Sequence, residues 1–208
     1  MQKTIKWIIT GIISLNIIAI IASFFMGRSM NDVSFFFQER QAITFLSAMQ
    51  LAIAAVISII VYSMKRIFSE KPFSFKAQIS IWFIGFFVLA FAVADEYFMI
   101  HEGIDGDIMT FFFGIKDNPQ LDGITLALYG VGAFLLFLKF KFEILKYKKA
   151  IGFFVLCGIF FLTSITLDLK NVDAFQIFLE ESAKLIAVSC LLSGFVCLVN
   201  DVMHELAE

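Results

Sequence analysis

Charged side chains are scarce in this chain, and their scarcity indicates the solvent in which it folds. Of the 208 residues, only 16% are Asp, Glu, Lys or Arg, whereas 60% are apolar. A soluble domain has roughly a quarter charged and about half apolar residues. The net charge is only -2, so the chain lacks the basic field that attracts nucleic acid. The composition therefore predicts an integral membrane protein with no nucleic-acid partner.

Histidine, cysteine and proline are also rare, and each shortage argues against a class of site or structure. Because His101 and His204 are the only histidines, one chain cannot form a three-histidine zinc site. Cys157, Cys190 and Cys197 lie in apolar stretches without metal-ligand spacing, which predicts free packing residues. The two prolines leave few sites for helix kinks. No serine or cysteine has a nearby candidate base, which argues against nucleophilic catalysis.

Long apolar stretches dominate what remains. A helix that crosses a membrane needs about 20 predominantly apolar residues. The sequence therefore predicts an all-α, polytopic transmembrane helical bundle of about six spans, forming one membrane domain over residues 1–208. The fourth and fifth spans are the shortest, so whether both cross fully stays open. The predicted spans are 7–26, 42–64, 79–100, 123–138, 151–167 and 185–203.

The loops between these spans alternate in charge. Of the 16 Lys and Arg residues, 11 fall before the first span and in alternate loops, against 5 on the other side. The excess of basic residues on one side predicts that both termini lie in the cytoplasm. Thirteen of the 18 acidic residues fall on or near the opposite side, which supports the same orientation.

Two runs of three phenylalanines, at 35–37 and 111–113, lie in loops on the predicted outer side. Aromatic residues are enriched where a membrane protein meets the lipid headgroups. Both runs are therefore predicted to be interfacial anchors.

Ionisable residues are concentrated at the end of the third span. At 100° per residue, Asp95 and Glu102 lie 20° apart on one helix face, with Glu96 about 100° away. Asp95 and Glu102 are separated by about 10 Å along the axis, so a shared ion would need ligands from other helices. Asp168 ends the fifth span and Glu181 precedes the sixth, which places both at the same predicted leaflet.

Carboxylates gathered in a low dielectric need compensation. They must bind a cation, pair with Lys184 or Lys170, or take up protons. Oxygen ligands suit Mg²⁺, Mn²⁺ or Ca²⁺, and one imidazole leaves room for Zn²⁺ or Fe²⁺. A divalent metal ion bound there would activate water for hydrolysis, with a carboxylate as general base. The candidate metal ligands are His101, Glu102, Asp168 and Glu181, and the candidate bases are Asp95 and Glu96.

A plainer interpretation is that Asp95, Glu96 and Glu102 mark where the third span meets water. The pattern Asp95-Glu96-x4-His101-Glu102, followed by the run at 179–184, resembles uncharacterised bacterial multi-pass membrane proteins with an Asp-Glu-x4-His-Glu signature. The resemblance implies a multi-pass protein of the bacterial inner membrane and supplies no activity. Asn16 and Gln50, the main polar groups within the spans, are predicted to hydrogen-bond between helices.

Two classes of function follow. The favoured one is a non-enzymatic membrane component, such as a sensor, a toxin-immunity factor or the membrane subunit of an antiviral defence pair. In it the acidic outer face recognises a ligand, and the basic loop 139–149 docks a cytoplasmic protein partner or anionic membrane lipids. The alternative is a metal-dependent hydrolase or transferase acting on a lipid or membrane-embedded substrate. Homo-oligomerisation is compatible with both.

Overall fold

The computed structural model describes residues 2–38, 40–68, 77–100, 124–168 and 173–207. All regular structure in these ranges is helical, which confirms the predicted all-α fold. Each of the six long helices overlaps one of the six predicted spans, and a short 3-10 turn, Phe35–Phe37, follows the first. The helices are α1 (Gln2–Ser29), α2 (Ala42–Ile67), α3 (Ser80–Phe98), α4 (Ile124–Ile144), α5 (Lys148–Asp168) and α6 (Ala174–Glu205).

The surface of the bundle is apolar, as that of a membrane protein must be. Five of the helices, α1, α2, α3, α5 and α6, are long and apolar enough to cross a membrane. Large apolar side chains such as Trp7, Phe134 and Leu162 are more than half exposed. Exposed apolar surface on this scale is rare on soluble monomers. It suits hydrocarbon, where helices satisfy their own backbone hydrogen bonds.

The last helix, α6, is the centre of the bundle. It packs against α1, α2 and α5, and 72% of its most apolar stretch is buried, against 6% for α1. Small residues make this close packing possible, because they let helix backbones approach. Gly194 is the tightest example: a Cβ there would lie 2.5 Å from the Phe154 ring of α5.

Helix α6 also begins well before the predicted span at 185–203. Asp173 caps its N-terminus, with the side chain accepting a hydrogen bond of 2.8 Å from the backbone N–H of Gln176. Such a cap satisfies a backbone donor that has no partner within the helix. Among the polar residues that follow, Glu181 and Lys184 are buried and paired with each other, so the helix continues through them into the apolar stretch.

The interfacial role predicted for the phenylalanine run at 35–37 is wrong for Phe37. Its side chain is only 1% exposed, and its ring lies 5.0 Å from that of Phe178 in an edge-to-face contact. Together with Ile43 and Leu185 it forms a small apolar core. The run at 111–113 lies outside the described residues. The cysteine prediction is confirmed, since all three are free.

Candidate functional site

A buried group of four polar side chains joins α2, α3 and α6, and we call it the Lys184 cluster. Lys184 Nζ lies 2.6 Å from Glu181 Oε1, one turn earlier on α6, and 3.3 Å from Glu96 Oε1 on α3. The Ser47 hydroxyl of α2 donates a hydrogen bond of 2.7 Å to Glu96. All four residues are at most 9% exposed. Pairing with Lys184, one of the three predicted forms of compensation, is thus confirmed for Glu96 and Glu181.

The contact between Ser47 and Glu96 corrects an expectation from the sequence. Ser47 does have a carboxylate neighbour, although 49 residues separate the two along the chain. The arrangement is not that of an activated nucleophile, because Glu96 is also held by Lys184. Ser47 is 1% exposed, and its hydroxyl also lies 3.0 Å from the carbonyl oxygen of Thr44. The contact fastens α2 to α3.

Asp95, the other candidate base, is buried on a different side of α3. Its Oδ1 lies 3.5 Å from the hydroxyl of Tyr129 in α4, and Asp95 is 5% exposed. Consecutive helical residues are about 100° apart, so Asp95 is directed towards α4 and Glu96 towards α2 and α6. The two candidate bases therefore have separate surroundings.

The remaining predicted ligands are only partly described. Asp168 is the last residue of α5 and is partly exposed, whereas His101 and Glu102 lie outside the described residues. Within the ranges given above, no group of three or more His, Cys, Asp or Glu side chains is placed to hold a metal ion. The metal site formed by His101, Glu102, Asp168 and Glu181 therefore stays a prediction.

Asn16 and Gln50 pair as expected from the sequence. The Asn16 amide donates to Gln50 Oε1 at 3.2 Å, and the Gln50 amide donates to Asn16 Oδ1 at 2.7 Å. Both residues are at least 95% buried. The predicted hydrogen bond between helices is confirmed, and it links α1 to α2 about one turn from Ser47.

A second polar group, the Lys65 cluster, lies where α2, α4 and α6 end and α3 begins. Glu143 is its centre and is fully buried. Lys65 Nζ lies 2.9 Å from Glu143 Oε1, and Lys146 Nζ lies 2.8 Å from Oε2. The indole N–H of Trp82 also donates to Glu143, at 3.3 Å. The cluster consists of Lys65, Trp82, Glu143, Lys146, Tyr147 and Glu205.

Glu205 completes the Lys65 cluster from the last turn of α6. Lys65 Nζ lies 2.9 Å from Glu205 Oε2 and 3.2 Å from Oε1, and the Tyr147 hydroxyl donates to Oε2 at 2.8 Å. Lys65 also contacts the Tyr147 hydroxyl. Burial raises the pKa of Tyr147 well above its usual value, so this residue stays a hydrogen-bond donor. A hydrogen bond to Glu143 raises the pKa of Lys146.

The two clusters lie at opposite ends of the same three helices. Ser47 and Lys65 are 18 residues apart on α2, which corresponds to about 27 Å along a helix axis. Lys184 and Glu205 are 21 residues apart on α6, or about 32 Å. Both separations approach the hydrocarbon thickness of a bilayer, about 30 Å. The two groups of polar contacts are therefore separated by a distance that matches the hydrocarbon thickness of a bilayer.

Sequence reasoning missed the Lys65 cluster entirely. Glu143 is the one acidic residue in the segment 139–149, which the sequence predicts to be a loop that docks a protein partner or anionic lipids. Residues 139–144 instead form the end of α4. Two of the five lysines in this segment are paired, Lys146 with Glu143 and Lys149 with Asp201 at 3.9 Å. A single carboxylate among lysines, three residues before Lys146, was the available signal.

The chain belongs to the family described as "Domain of unknown function (DUF8692)", which matches residues 28–198. That range includes both clusters except Glu205. A search of curated proteins and a search of solved structures each found no match.

Proposed function

We propose that this protein is a non-enzymatic component of the bacterial inner membrane. It crosses the membrane six times with both termini in the cytoplasm, and it acts as a sensor, a toxin-immunity factor or the membrane subunit of an antiviral defence pair, of which we develop the sensor. In this proposal the Lys184 cluster lies at the outer leaflet and responds to a ligand there. The response passes along the helices to the cytoplasmic loops, where a protein partner docks.

The observation that carries the proposal is the position of Lys184 between Glu96 and Glu181. An ammonium 2.6 Å from one carboxylate and 3.3 Å from the other occupies the position that a bound cation would need. Lys184 therefore joins α6 to Glu96 of α3 and pairs with Glu181 within α6, so both carboxylates are engaged. This supports a role in holding a helix arrangement more than a role in activating water.

The helices that meet at this cluster also support transmission between the two ends. Helix α3 contributes Glu96 to the Lys184 cluster and Trp82 to the Lys65 cluster. A change in the position of α3 at one end therefore changes contacts at the other. A signal crosses a membrane protein by such a rigid element when it has two arrangements.

Trp82 makes this proposal testable, because the chain has one other tryptophan, Trp7. In a Trp7→Phe background all tryptophan emission comes from Trp82, inside the Lys65 cluster. We expect Lys184→Met, at the opposite end, to shift that emission, and Glu181→Gln to shift it less. Lys6→Met, which changes an exposed lysine of α1, should leave it unchanged. Unchanged emission in both cluster variants, with the fold intact by circular dichroism, would refute coupling between the ends.

The alternative function is a metal-dependent hydrolase or transferase. Metal analysis distinguishes it from the sensor. The wild-type protein, His101→Ala and Glu181→Gln would be purified in detergent and their bound divalent metals quantified. The sensor proposal expects no stoichiometric metal in the wild type. One metal ion per chain that is lost in both variants would overturn it in favour of the enzyme.

A further inference from the structure

Glu205 and Glu143 are held by the same lysine but differ sharply in exposure. The side chain of Glu143 is 0% exposed, whereas that of Glu205 is 46% exposed. Glu143 accepts from donors on several segments, among them Trp82 and Lys146. Glu205 is held by Lys65 and Tyr147 and comes from the last turn of its helix. Glu143 is therefore enclosed within the bundle, whereas Glu205 lies partly exposed at its surface.

We infer that Lys65 and Tyr147 form a binding site for a phosphate group, which Glu205 occupies as a built-in substitute ligand. The ammonium of Lys65 and the hydroxyl of Tyr147 both contact the same oxygen of Glu205, at 2.9 and 2.8 Å. An ammonium and a hydroxyl converging on one anionic oxygen are suitable donors for a phosphodiester oxygen. This site is separate from the Lys184 cluster, and the inference does not depend on the proposed sensing role.

The charges of the Lys65 cluster explain why another anion would replace Glu205. With Glu205 in place, two lysines face two carboxylates and the charges balance. When Glu205 leaves, Lys65 and Lys146 share only Glu143, so one positive charge is uncompensated. The side chain of Lys65 is only 7% exposed, so losing one of its two carboxylate partners is unfavourable. Release of Glu205 therefore favours the binding of another anion in its place.

The position of Glu205 favours its release. It is the last residue of α6, and terminal helical turns open at the smallest free-energy cost. A carboxylate at a helix C-terminus is also opposed by the negative end of the helix dipole. Ile67 and Phe68, just beyond Lys65, are 78% and 66% exposed. These apolar side chains beside a cationic site favour an anionic phospholipid headgroup, whose acyl chains they can contact, as the source of the phosphate.

Native mass spectrometry of the detergent-purified full chain would test the site. Phosphatidylglycerol is the anionic probe and phosphatidylcholine the zwitterionic one. We expect Glu205→Ala to retain one more equivalent of phosphatidylglycerol than the wild type, with no difference for phosphatidylcholine. The added Lys65→Met change should abolish the gain. Asp201→Ala is the matched control, because it removes a carboxylate from the preceding turn of α6 without touching the site.

A second measurement keeps the inference falsifiable if Glu205→Ala does not fold. The Trp7→Phe protein is titrated with short-chain phosphatidylglycerol, and emission from Trp82, which shares Glu143 with Lys65, is followed. A saturable change that Lys65→Met eliminates supports the site. The same change with inorganic phosphate alone supports it with free phosphate as the ligand. No additional lipid on Glu205→Ala, or a flat titration where that variant does not fold, would overturn the inference.

Discussion

Replacing Lys65 with methionine should destabilise the bundle far more than replacing Lys146 with methionine, although both lysines contact Glu143. Their distances to the carboxylate are nearly equal, at 2.9 and 2.8 Å. Their surroundings differ, because the Lys65 side chain is 7% exposed and that of Lys146 is 55% exposed. Methionine keeps most of the aliphatic stem of lysine, so each change removes mainly the charge.

Burial sets the expected magnitudes. Removing one partner of a buried ion pair costs about 3 to 5 kcal/mol. In Lys65→Met, Glu143 keeps Lys146 and Trp82 as partners. We therefore expect the free energy of unfolding to fall by an amount near the lower limit, about 3 kcal/mol. Because the Lys146 side chain is exposed, its ion pair with Glu143 should contribute less than about 1 kcal/mol to the free energy of unfolding. For a chain of this length, these losses correspond to roughly 6–12 °C and under about 4 °C in Tm.

The assay is thermal unfolding of the purified variants in one detergent. Glu143→Gln and its combination with Lys65→Met complete a double-mutant cycle, and the loss in the double variant should be smaller than the sum of the single losses because the two residues are in contact. Equal losses for Lys65→Met and Lys146→Met would refute the reasoning. So would additive losses of Lys65→Met and Glu143→Gln, since they would show that the two residues do not interact.

Three further predictions concern packing, polar pairing and pH. Gly194→Ala should destabilise the bundle by about 1 to 3 kcal/mol in the same assay through overpacking against α5, whereas Gly158→Ala, with open space around the Cβ position, should have little effect. Asn16→Leu should lower the free energy of unfolding by about 1 to 2 kcal/mol because it leaves the Gln50 amide buried without this partner. Adding Gln50→Leu in a double variant should restore part of that loss. The stability difference between wild type and Lys146→Met should persist from neutral pH to pH 10.5, the ordinary pKa of lysine, and disappear in an alkaline unfolding series as pH rises through the raised pKa.

The positions of the helices could be predicted because hydropathy and helix length are local properties. The span 42–64 lies within α2, and 151–167 lies within α5. The start of α6 could not be predicted in this way, since Glu181 and Lys184 were interpreted as residues outside the membrane. Their mutual pairing is what allows them to be buried. Pairing depends on the three-dimensional neighbours of a charge, which a hydropathy profile does not contain.

In the candidate site, too, some features could be predicted from the sequence and others could not. That Glu96 and Glu181 are compensated could be predicted, because buried carboxylates need compensation wherever they meet. That Lys184 supplies it, rather than Lys170, a metal ion or protons, could not. The separation of Asp95 from Glu96 was already visible in the 100° between them. The role of Ser47 could not be predicted, since it depends on how α2 packs against α3. A pattern of small residues in α6, such as Ser193 and Gly194, was the missed signal that this helix lies at the centre.

Between the two clusters, the contact of α2 with α3 is too close to absorb a displacement. The Ser58 hydroxyl donates a hydrogen bond of 2.7 Å to the backbone carbonyl of Trp82, and a Cβ on Gly85 would lie 2.8 Å from the same hydroxyl. A movement of α3 that begins at Glu96 and reaches Trp82 therefore either breaks this contact or carries α2 with it. If the contact is kept, α2 and α3 move together, and the movement reaches the indole of Trp82 and, through it, Glu143. In the proposed function, communication between the ends therefore depends on one helix that contributes a side chain to each charged cluster and is fixed to its neighbour between them.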